Sequence, residues 1–525
     1  MLSSRRSFLQ QLGLGAGAFL LPRSPFAWAQ ESALLSRSTP EAQGVSSAGI
    51  QAFIDGLAAA KLETHGLVIA RHGRMIAEGW WAPYAREYRH TLYSMSKSFT
   101  STAVGFAVAE GKLSVDSRVV SFFPKDLPET VSPNLEALTV KDLLTMSVGS
   151  ETEPTRAMVQ EQNWVRHFLG HKIAHQPGTV FMYNSAATYM CSAIVHEVTG
   201  LPIVDYLTPR LFEPLGIAEP VWETCPRGIN TGGWGLSLPT EALGKFGQLL
   251  LQKGEWNGRQ IIPAPWVEEA TSSHIQQPPP AKPTRPTERN DWLQGYGYQF
   301  WRCQKGAYRG DGAFGQYTIV LPEQDAVIAM NSETGNMQGQ LDLVWEHLLP
   351  AMKPAALPAN AAAQSKLTAT LAALALPLPP GQPTSPTAER ISGKIFKLEA
   401  NPFKLESITL SLAQDEARFV ANDGTADHEV TSGLGKWVRG ETAFPGTPPR
   451  LISGGAPPAG TDHPVAASAA WNDDRTFEMT WRYYETPHRD TVTCRFDGDK
   501  VTVGFQSSIA KGKDPRAPLQ GTLSA

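Results

Sequence analysis

Ser94 and Lys97 stand three residues apart at the start of an alanine-rich run, "YSMSKSFTSTAVGFAVAEGKL", from Tyr93 to Leu113. On a helix, residues i and i+3 share a face, so the Lys97 side chain can lie beside the Ser94 hydroxyl. A serine hydroxyl is a weak nucleophile until a neighbouring group takes its proton, and this spacing offers such a group. The Ser94 backbone N–H, near a helix N-terminus, can also face a developing oxyanion. Spacing alone is a weak signal, because Ser508 and Lys511 repeat it near the C-terminus with no companions.

Ser94 has companions. Tyr183 follows 89 positions later in "PGTVFMYNSAATYM", and a phenol next to an ammonium is easier to ionise, which suits Tyr183 to act as general base and then to protonate a leaving group. "RGDGAFGQYTIVLPEQ" is a glycine-rich turn entering a strand, suited to bring a backbone N–H close to a substrate. The chain contains no Gly-x-Ser-x-Gly elbow, which removes the usual α/β-hydrolase arrangement. His196-Glu197 lacks the second histidine of a zinc-binding helix and reads as an exposed helix end.

The elements that must position these residues come from both ends of one domain. "LVIARHGRMIAEGWW" (67–81) alternates as two strands around a tight turn at His72-Gly73. "GYGYQFWRC" (295–303), "GQYTIVLPE" (315–323) and "DAVIAMNS" (325–332) read as three antiparallel strands. Helices between the two groups, including the amphipathic "TYMCSAIVHEVTG", would cover a single sheet. "QQPPPAKPTRPTERN" (276–290) is a proline-rich surface loop within that domain.

Alanine- and proline-rich sequence over 356–390 has the composition of a linker. Beyond it, alternating runs such as "TFEMTW" and the turn signals Asp423-Gly424 and Asp497-Gly498 predict a separate all-β domain over 391–525. Residues 1–29 read as an export signal: a basic start, an apolar stretch, Ala27-Trp28-Ala29 as a cleavage site, and Arg5-Arg6 as in twin-arginine signals. The expected location is the periplasm or outside the cell, with the hydrolytic domain over 30–355.

With 46 basic and 50 acidic residues the charge is −4, so a nucleic-acid partner is not expected. No later stretch is long and apolar enough to span a membrane. Cys191, Cys225, Cys303 and Cys494 lack CxxC spacing and are expected to be buried thiols rather than a metal site, although one disulfide is compatible with an exported protein. Oligomeric state is not legible in the sequence.

Ser-x-x-Lys, Tyr-x-Ser and a late glycine-rich strand, in this order, resemble the serine β-lactamase-like hydrolases. The resemblance is nearest to the branch with class C β-lactamases, related carboxylesterases and 6-aminohexanoate-dimer hydrolase. It runs from about Pro40 to Met352 through "LYSMSKSFTSTAVG", "LTVKDLLTMSVG", "NTGGWGLSLPTEALGKFGQLLLQKGEWNGRQII" and "GAFGQYTIVLPEQDAVIA". It implies an α+β, β-lactamase/transpeptidase-like fold: an antiparallel sheet with flanking helices and a helical subdomain, followed here by the C-terminal all-β domain.

It further implies Ser94 as the acyl-forming nucleophile, Lys97 as its electrostatic and proton-transfer partner, and Tyr183 as acid/base. The N–H groups of Ser94 and Ala313 would form the oxyanion hole. Ser185 takes the place of an asparagine in class C enzymes, and with Trp234 and Gln316 it is assigned to substrate binding; for Trp234 a packing role is an equal reading.

Two departures bear on substrate. The Lys-Thr-Gly of class C enzymes is replaced by "AYRGDG" (307–312), and Tyr-x-Asn by Tyr-x-Ser. Both point away from β-lactams and towards small esters or amides, with Arg309 as either a replacement cation or a solvated turn residue. The expected function is an exported serine hydrolase without metal or organic cofactor. Its rivals are a penicillin-recognising peptidase or β-lactamase, and a non-catalytic protein whose β-domain captures a ligand.

Overall fold

A computed structural model describes residues 35–452, 462–514 and 516–524, so the export signal read over 1–29 lies outside the described residues. Among the described residues, seven strands form the first sheet, in the order Ser36–Arg37, Arg74–Trp80, Thr64–Arg71, Ala326–Ser332, Gln316–Leu321, Tyr308–Gly312 and Trp301–Arg302. All neighbours are antiparallel except the first pair. Strands from the two ends of the domain meet where Ile69 faces Ile328 and Val68 faces Ala329. His72 and Gly73, at φ 51 and 70, make the tight turn between the first two long strands.

Side chains alternate between two cores, because helices cover both faces. Leu67, Ile69, Ile319 and Ile328 pack on Ile50, Phe53 and Leu341, from helices Ser47–Ala59 and Met337–Leu343. Val68, Ala70, Val320 and Val327 share the other core with Phe99, Leu243 and Phe246, from helices Ser96–Ala109 and Thr240–Leu251. A helical subdomain that includes Trp164–Gly170 and Ser185–Thr199 closes over the far side of Ser96–Ala109.

Two strands differ from the sequence reading. Within 295–303 only Trp301–Arg302 pairs in the sheet, because Gly295 and Gln299 turn the chain at φ 104 and 68. Tyr308–Gly312, read as a turn because of its glycines, is a buried strand paired with Gln316–Leu321. The Ala/Pro-rich segment holds a helix, Ala361–Ala372, whose Leu367 is buried in the first domain's core. Alanine favours helix more than any other residue, so this composition suits a docked helix as well as a linker.

The C-terminal domain is a closed β-barrel. Ten strands run from Asp427–Leu434 round to Val438–Thr442, and a parallel pairing of Gly433 with Ser468 and Leu434 with Ala469 closes it. Phe396, Phe419, Trp471, Phe477, Trp481 and Phe496 are buried in its core. It docks on the first domain through Arg482, which donates to both Glu63 carboxylate oxygens at 2.7 and 3.2 Å. Further bonds cross the junction, among them Tyr84 Oη donating to the Thr486 carbonyl at 3.0 Å and the Thr91 N–H donating to the Glu485 carbonyl at 3.0 Å.

Candidate active site

Ser94 sits in a single 3₁₀ turn, Tyr93–Met95, that runs directly into helix Ser96–Ala109. The turn is entered through Tyr93 at φ 48. The left-handed conformation costs a bulky L-residue about 1–2 kcal/mol, so the surroundings must hold Tyr93 there.

Lys97 points back from the first helical turn and is 1 % exposed. Its Nζ lies 3.1 Å from Ser94 Oγ, 3.0 Å from Ser185 Oγ and 2.6 Å from the Gly233 carbonyl oxygen. As an ammonium it donates to all three. As a neutral amine it can donate to Gly233 and Ser185 and turn its lone pair to the Ser94 hydroxyl. Burial pushes its pKa down to about 7, against the upward pull of the Glu153 and Asp311 carboxylates. The amine is therefore well populated at neutral pH.

Tyr183 is half-buried at the end of the loop before helix Ser185–Thr199. Its ring lies 4.9 Å from Lys97 Nζ, stacks on Trp301 at 5.5 Å, and is met edge-on by Tyr296. Its hydroxyl faces the Ser94 side chain closely enough for that group to act on its ionisation. Burial drives the phenol's pKa up, and the neighbouring Ser94 hydroxyl offsets this only in part. The expectation that a nearby ammonium would favour the phenolate is thus corrected: desolvation wins, and the phenol keeps its proton at neutral pH.

Asn184 caps helix Ser185–Thr199 by accepting the Ala187 N–H at 3.0 Å, and this fixes Ser185 at the first helical position. The Ser185 hydroxyl is the Lys97 partner described above, so its place is at the base of the site. Gly233 faces it. A Cβ on Gly233 would come within 2.8 Å of the Ser185 carbonyl oxygen and 3.4 Å of Lys97 Nζ, so a side chain there would crowd both.

Ala313 opens the turn between strands Tyr308–Gly312 and Gln316–Leu321. The preceding Gly312 lies so close to the serine turn that a Cβ would stand 2.1 Å from the Leu92 carbonyl oxygen and 3.1 Å from the Met95 nitrogen. Glycine at this position is what lets the segments carrying Ser94 and Ala313 lie side by side.

Three sequence assignments change. Gln316 is fully buried; its amide nitrogen donates to the Ala313 and Ser332 carbonyls at 3.0 and 2.8 Å, and its oxygen accepts from Asn331 Nδ2 at 3.0 Å. It braces the Ala313 turn from beneath and has nothing left for a substrate. Trp234 is buried and stacks on Trp164 at 5.8 Å, while its carbonyl accepts from Trp222 Nε1 at 2.9 Å. Packing is its main role, although it also lines a cavity between the two domains.

Arg309 is not solvated, and its burial keeps it from an incoming carboxylate, although its Nη2 has no hydrogen-bond partner among the described residues. Fully buried, it donates to Asp311 Oδ2 at 2.8 Å and to the Asp291 carbonyl at 2.8 Å, with its guanidinium over Trp292 at 4.5 Å.

Sequence reasoning missed Gly233, Glu153 and Asp311. A backbone carbonyl leaves no residue signature beyond the glycine pair 232–233. The two carboxylates act on Lys97 from loops and strands far away in sequence. The four cysteines are buried free thiols. Among the described residues no group of histidines, cysteines and carboxylates could hold a metal ion, and no helix is long and apolar enough to cross a membrane.

Residues 50–351 match the family model described as Beta-lactamase. The 6-aminohexanoate-dimer hydrolase of Paenarthrobacter ureafaciens is 24% identical over 284 residues, covering 50% of this chain and 71% of that protein. Among solved structures, the octameric penicillin-binding protein homologue from Pyrococcus abyssi is 15% identical, with a TM-score of 0.46, covering 90% of this chain and 99% of its own. A penicillin-binding protein homologue from Caulobacter crescentus is 16% identical, with a TM-score of 0.46, covering 60% of this chain and 99% of its own.

Proposed function

Because the chain belongs to the β-lactamase family, and is a serine hydrolase, we propose that it cleaves ester or amide bonds of small substrates through an acyl-enzyme on Ser94. The observation that carries this reading is Lys97 Nζ at 3.1 Å from Ser94 Oγ, with a pKa lowered to about 7. A lysine amine neutral at working pH can accept the serine proton as Oγ attacks the substrate carbonyl. The oxyanion of the tetrahedral intermediate is received by the N–H groups of Ser94 and Ala313. Tyr183, protonated and beside Ser94, hands a proton to the leaving alcohol or amine as its bond to carbon breaks. Water then attacks the acyl carbon and gives a proton to the Tyr183 phenolate, and the Lys97 ammonium returns its proton to Ser94 Oγ as the acyl–oxygen bond breaks.

The substrate reading rests on two supports. The relative named 6-aminohexanoate-dimer hydrolase favours a linear amide or ester. The "YRGDG" strand has no lysine, and its arginine is committed within the core. A β-lactam carboxylate would thus forgo a charge-assisted contact worth about 1.5–3 kcal/mol, or roughly tenfold to over a hundredfold in efficiency. The reading includes export to the periplasm, supported by Arg5-Arg6 and Ala27-Trp28-Ala29.

Intact-mass spectrometry and kcat/KM for short p-nitrophenyl esters, 6-aminohexanoate dimer and benzylpenicillin test it on one preparation. Esters should be cleaved better than penicillin, with an acyl adduct on the wild type and none on Ser94→Ala. Ester turnover that survives in Ser94→Ala at the wild-type rate would sink the assignment. A penicillin cleaved faster than every ester would replace it with the β-lactamase reading.

A further inference from the structure

The two segments that carry Ser94 and Ala313 are joined by a residue from the other domain. His488 closes the loop between barrel strands Thr476–Arg482 and Arg489–Asp497, and it is completely buried. Its Nε2 shares a hydrogen bond with the hydroxyl of Tyr93, the residue before Ser94. The edge of its ring meets Phe314, the residue after Ala313, at 4.9 Å, and Tyr93 and Phe314 themselves lie 5.6 Å apart. Tyr93 and Phe314 share a second property: both are non-glycine residues at positive φ, 48 and 68. Each therefore holds a backbone conformation that its own chemistry disfavours.

The imidazole is fixed from behind. Its Nδ1 lies 2.8 Å from Glu333 Oε1, and the other Glu333 oxygen accepts from Arg489. Paired with Arg489, the carboxylate accepts and does not donate, so His488 carries its proton on Nδ1. In the neutral ring Nε2 is then the acceptor for the Tyr93 hydroxyl. Ser508, the serine of the second Ser-x-x-Lys, also donates to Glu333. That serine belongs to this brace rather than to a second site. Glu333 directly follows strand Ala326–Ser332, and the next N–H, of Thr334, donates to the Phe314 carbonyl at 3.1 Å.

We propose that His488 of the barrel is a positioning residue for the oxyanion hole. By holding Tyr93 and Phe314 in their left-handed conformations, it aims the N–H groups of Ser94 and Ala313 at one point. This inference rests on the reading of Ser94 as nucleophile with those two oxyanion donors. It assigns the barrel a part in the chemistry: the hydrolase domain alone holds the nucleophile, the base and the Gln316 brace under Ala313, but not the imidazole that links Tyr93 to Phe314.

The test compares wild type, Ser94→Ala, Tyr93→Phe, His488→Phe and the Tyr93→Phe/His488→Phe double variant in the full chain. The readouts are kcat and KM for p-nitrophenyl acetate, Ki for phenylboronic acid, and Tm. Loss of one oxyanion donor lowers kcat by about 10²–10³, so loosening both should lower it by about tenfold to a hundredfold. KM should stay within about twofold, because the donors act chiefly on the transition state. Ki for the boronic acid, whose adduct places an oxygen where the oxyanion forms, should rise by the same factor as kcat falls. The double variant should be no slower than the slower single variant, since each breaks the same link.

Single variants with wild-type kcat and Ki would overturn the proposal, as would losses that multiply in the double variant. A fall in activity matched by the loss of folded protein, with Ki unchanged, would reduce His488 to a stabilising contact and also overturn it. Should His488→Phe fail to fold, Tyr93→Phe carries the same expectation with one oxygen removed and the ring kept. If Ser94→Ala turns over ester as the wild type does, the hydrolase reading itself falls. If only Ser94→Ala is inactive and the others are normal, the positioning role alone falls.

Discussion

The lowered pKa of Lys97 makes a quantitative prediction about pH. Moving an ammonium from 10.5 to about 7 disfavours the cation by about 5 kcal/mol, at 1.36 kcal/mol per unit. The amine fraction is then about one tenth at pH 6, one half at pH 7 and nine tenths at pH 8, whereas an ordinary lysine would be neutral in about three molecules per ten thousand at pH 7. The kcat/KM for an activated ester should follow that curve, falling about tenfold per unit on the acid side of its midpoint. Glu153 and Asp311 pull the value upward, so Glu153→Gln should shift the midpoint to lower pH. The assay is initial-rate hydrolysis from pH 5 to 9, read where the released phenol and phenolate absorb equally.

Stability supplies an independent check with a definite sign. Between pH 7 and 10.5 the unfolded chain protonates Lys97 and the folded chain does not, so stability rises with pH across that window and is lost as pH falls towards 7. Below it both states are charged and the dependence ends. Against Lys97→Met, which cannot titrate, the wild type should therefore gain stability as pH is raised from 7 to 10, whatever the offset between the two. A rate profile flat to pH 5.5 would refute the amine as the base, and one that rises only near pH 10 would refute its lowered pKa.

Tyr183→Phe keeps the stacked ring and deletes the proton donor, so kcat should fall by about two to four orders of magnitude with little change in KM, measured with an ester and with a linear amide. The loss should be larger for the amide, whose leaving nitrogen needs the proton more. Gly312→Ala forces a methyl to within 2.1 Å of the Leu92 carbonyl oxygen; thermal unfolding should show a loss of about 1–3 kcal/mol, typical of overpacking, together with reduced kcat. A Gly312→Ala enzyme of normal stability and rate would mean that the serine turn and the Ala313 strand do not need their close approach.

Much of the site was legible because its chemistry is local. Ser94 and Lys97 face each other through helical spacing, and Tyr183 announces itself by residue type and by the helix start after it. What the residues do to each other was less legible. Proximity of a phenol to a lysine can be read from a motif, but the balance between that charge and desolvation depends on how many atoms exclude water. Here burial prevails for both groups, lowering Lys97 and raising Tyr183. The strand Tyr308–Gly312 was hidden for a related reason. Gly310 and Gly312 look like turn residues in a sequence, and only the packed serine turn shows that they are there to admit Met95 and Leu92. Gln316 and Arg309 were polar residues next to a site motif, and both proved to be spent on the core.

The barrel posed the harder question, since composition predicted its strands but not its purpose. A ligand carrier needs an interior volume, and here Phe419, Trp471, Phe477 and Trp481 occupy the core. That argues against capture inside the barrel and directs attention to the loops at its rim. The bond between Tyr93 and His488 spans 395 positions, and His488 stands in none of the quoted motifs. Strained backbone beside a nucleophile persists only where the fold over-determines it. The hydrolase domain supplies the strain at Tyr93 and Phe314, and the barrel supplies the imidazole that both touch. On the proposed reading, the nucleophile is signalled by three residues of sequence, whereas the aim of its oxyanion donors rests on His488, almost four hundred positions away.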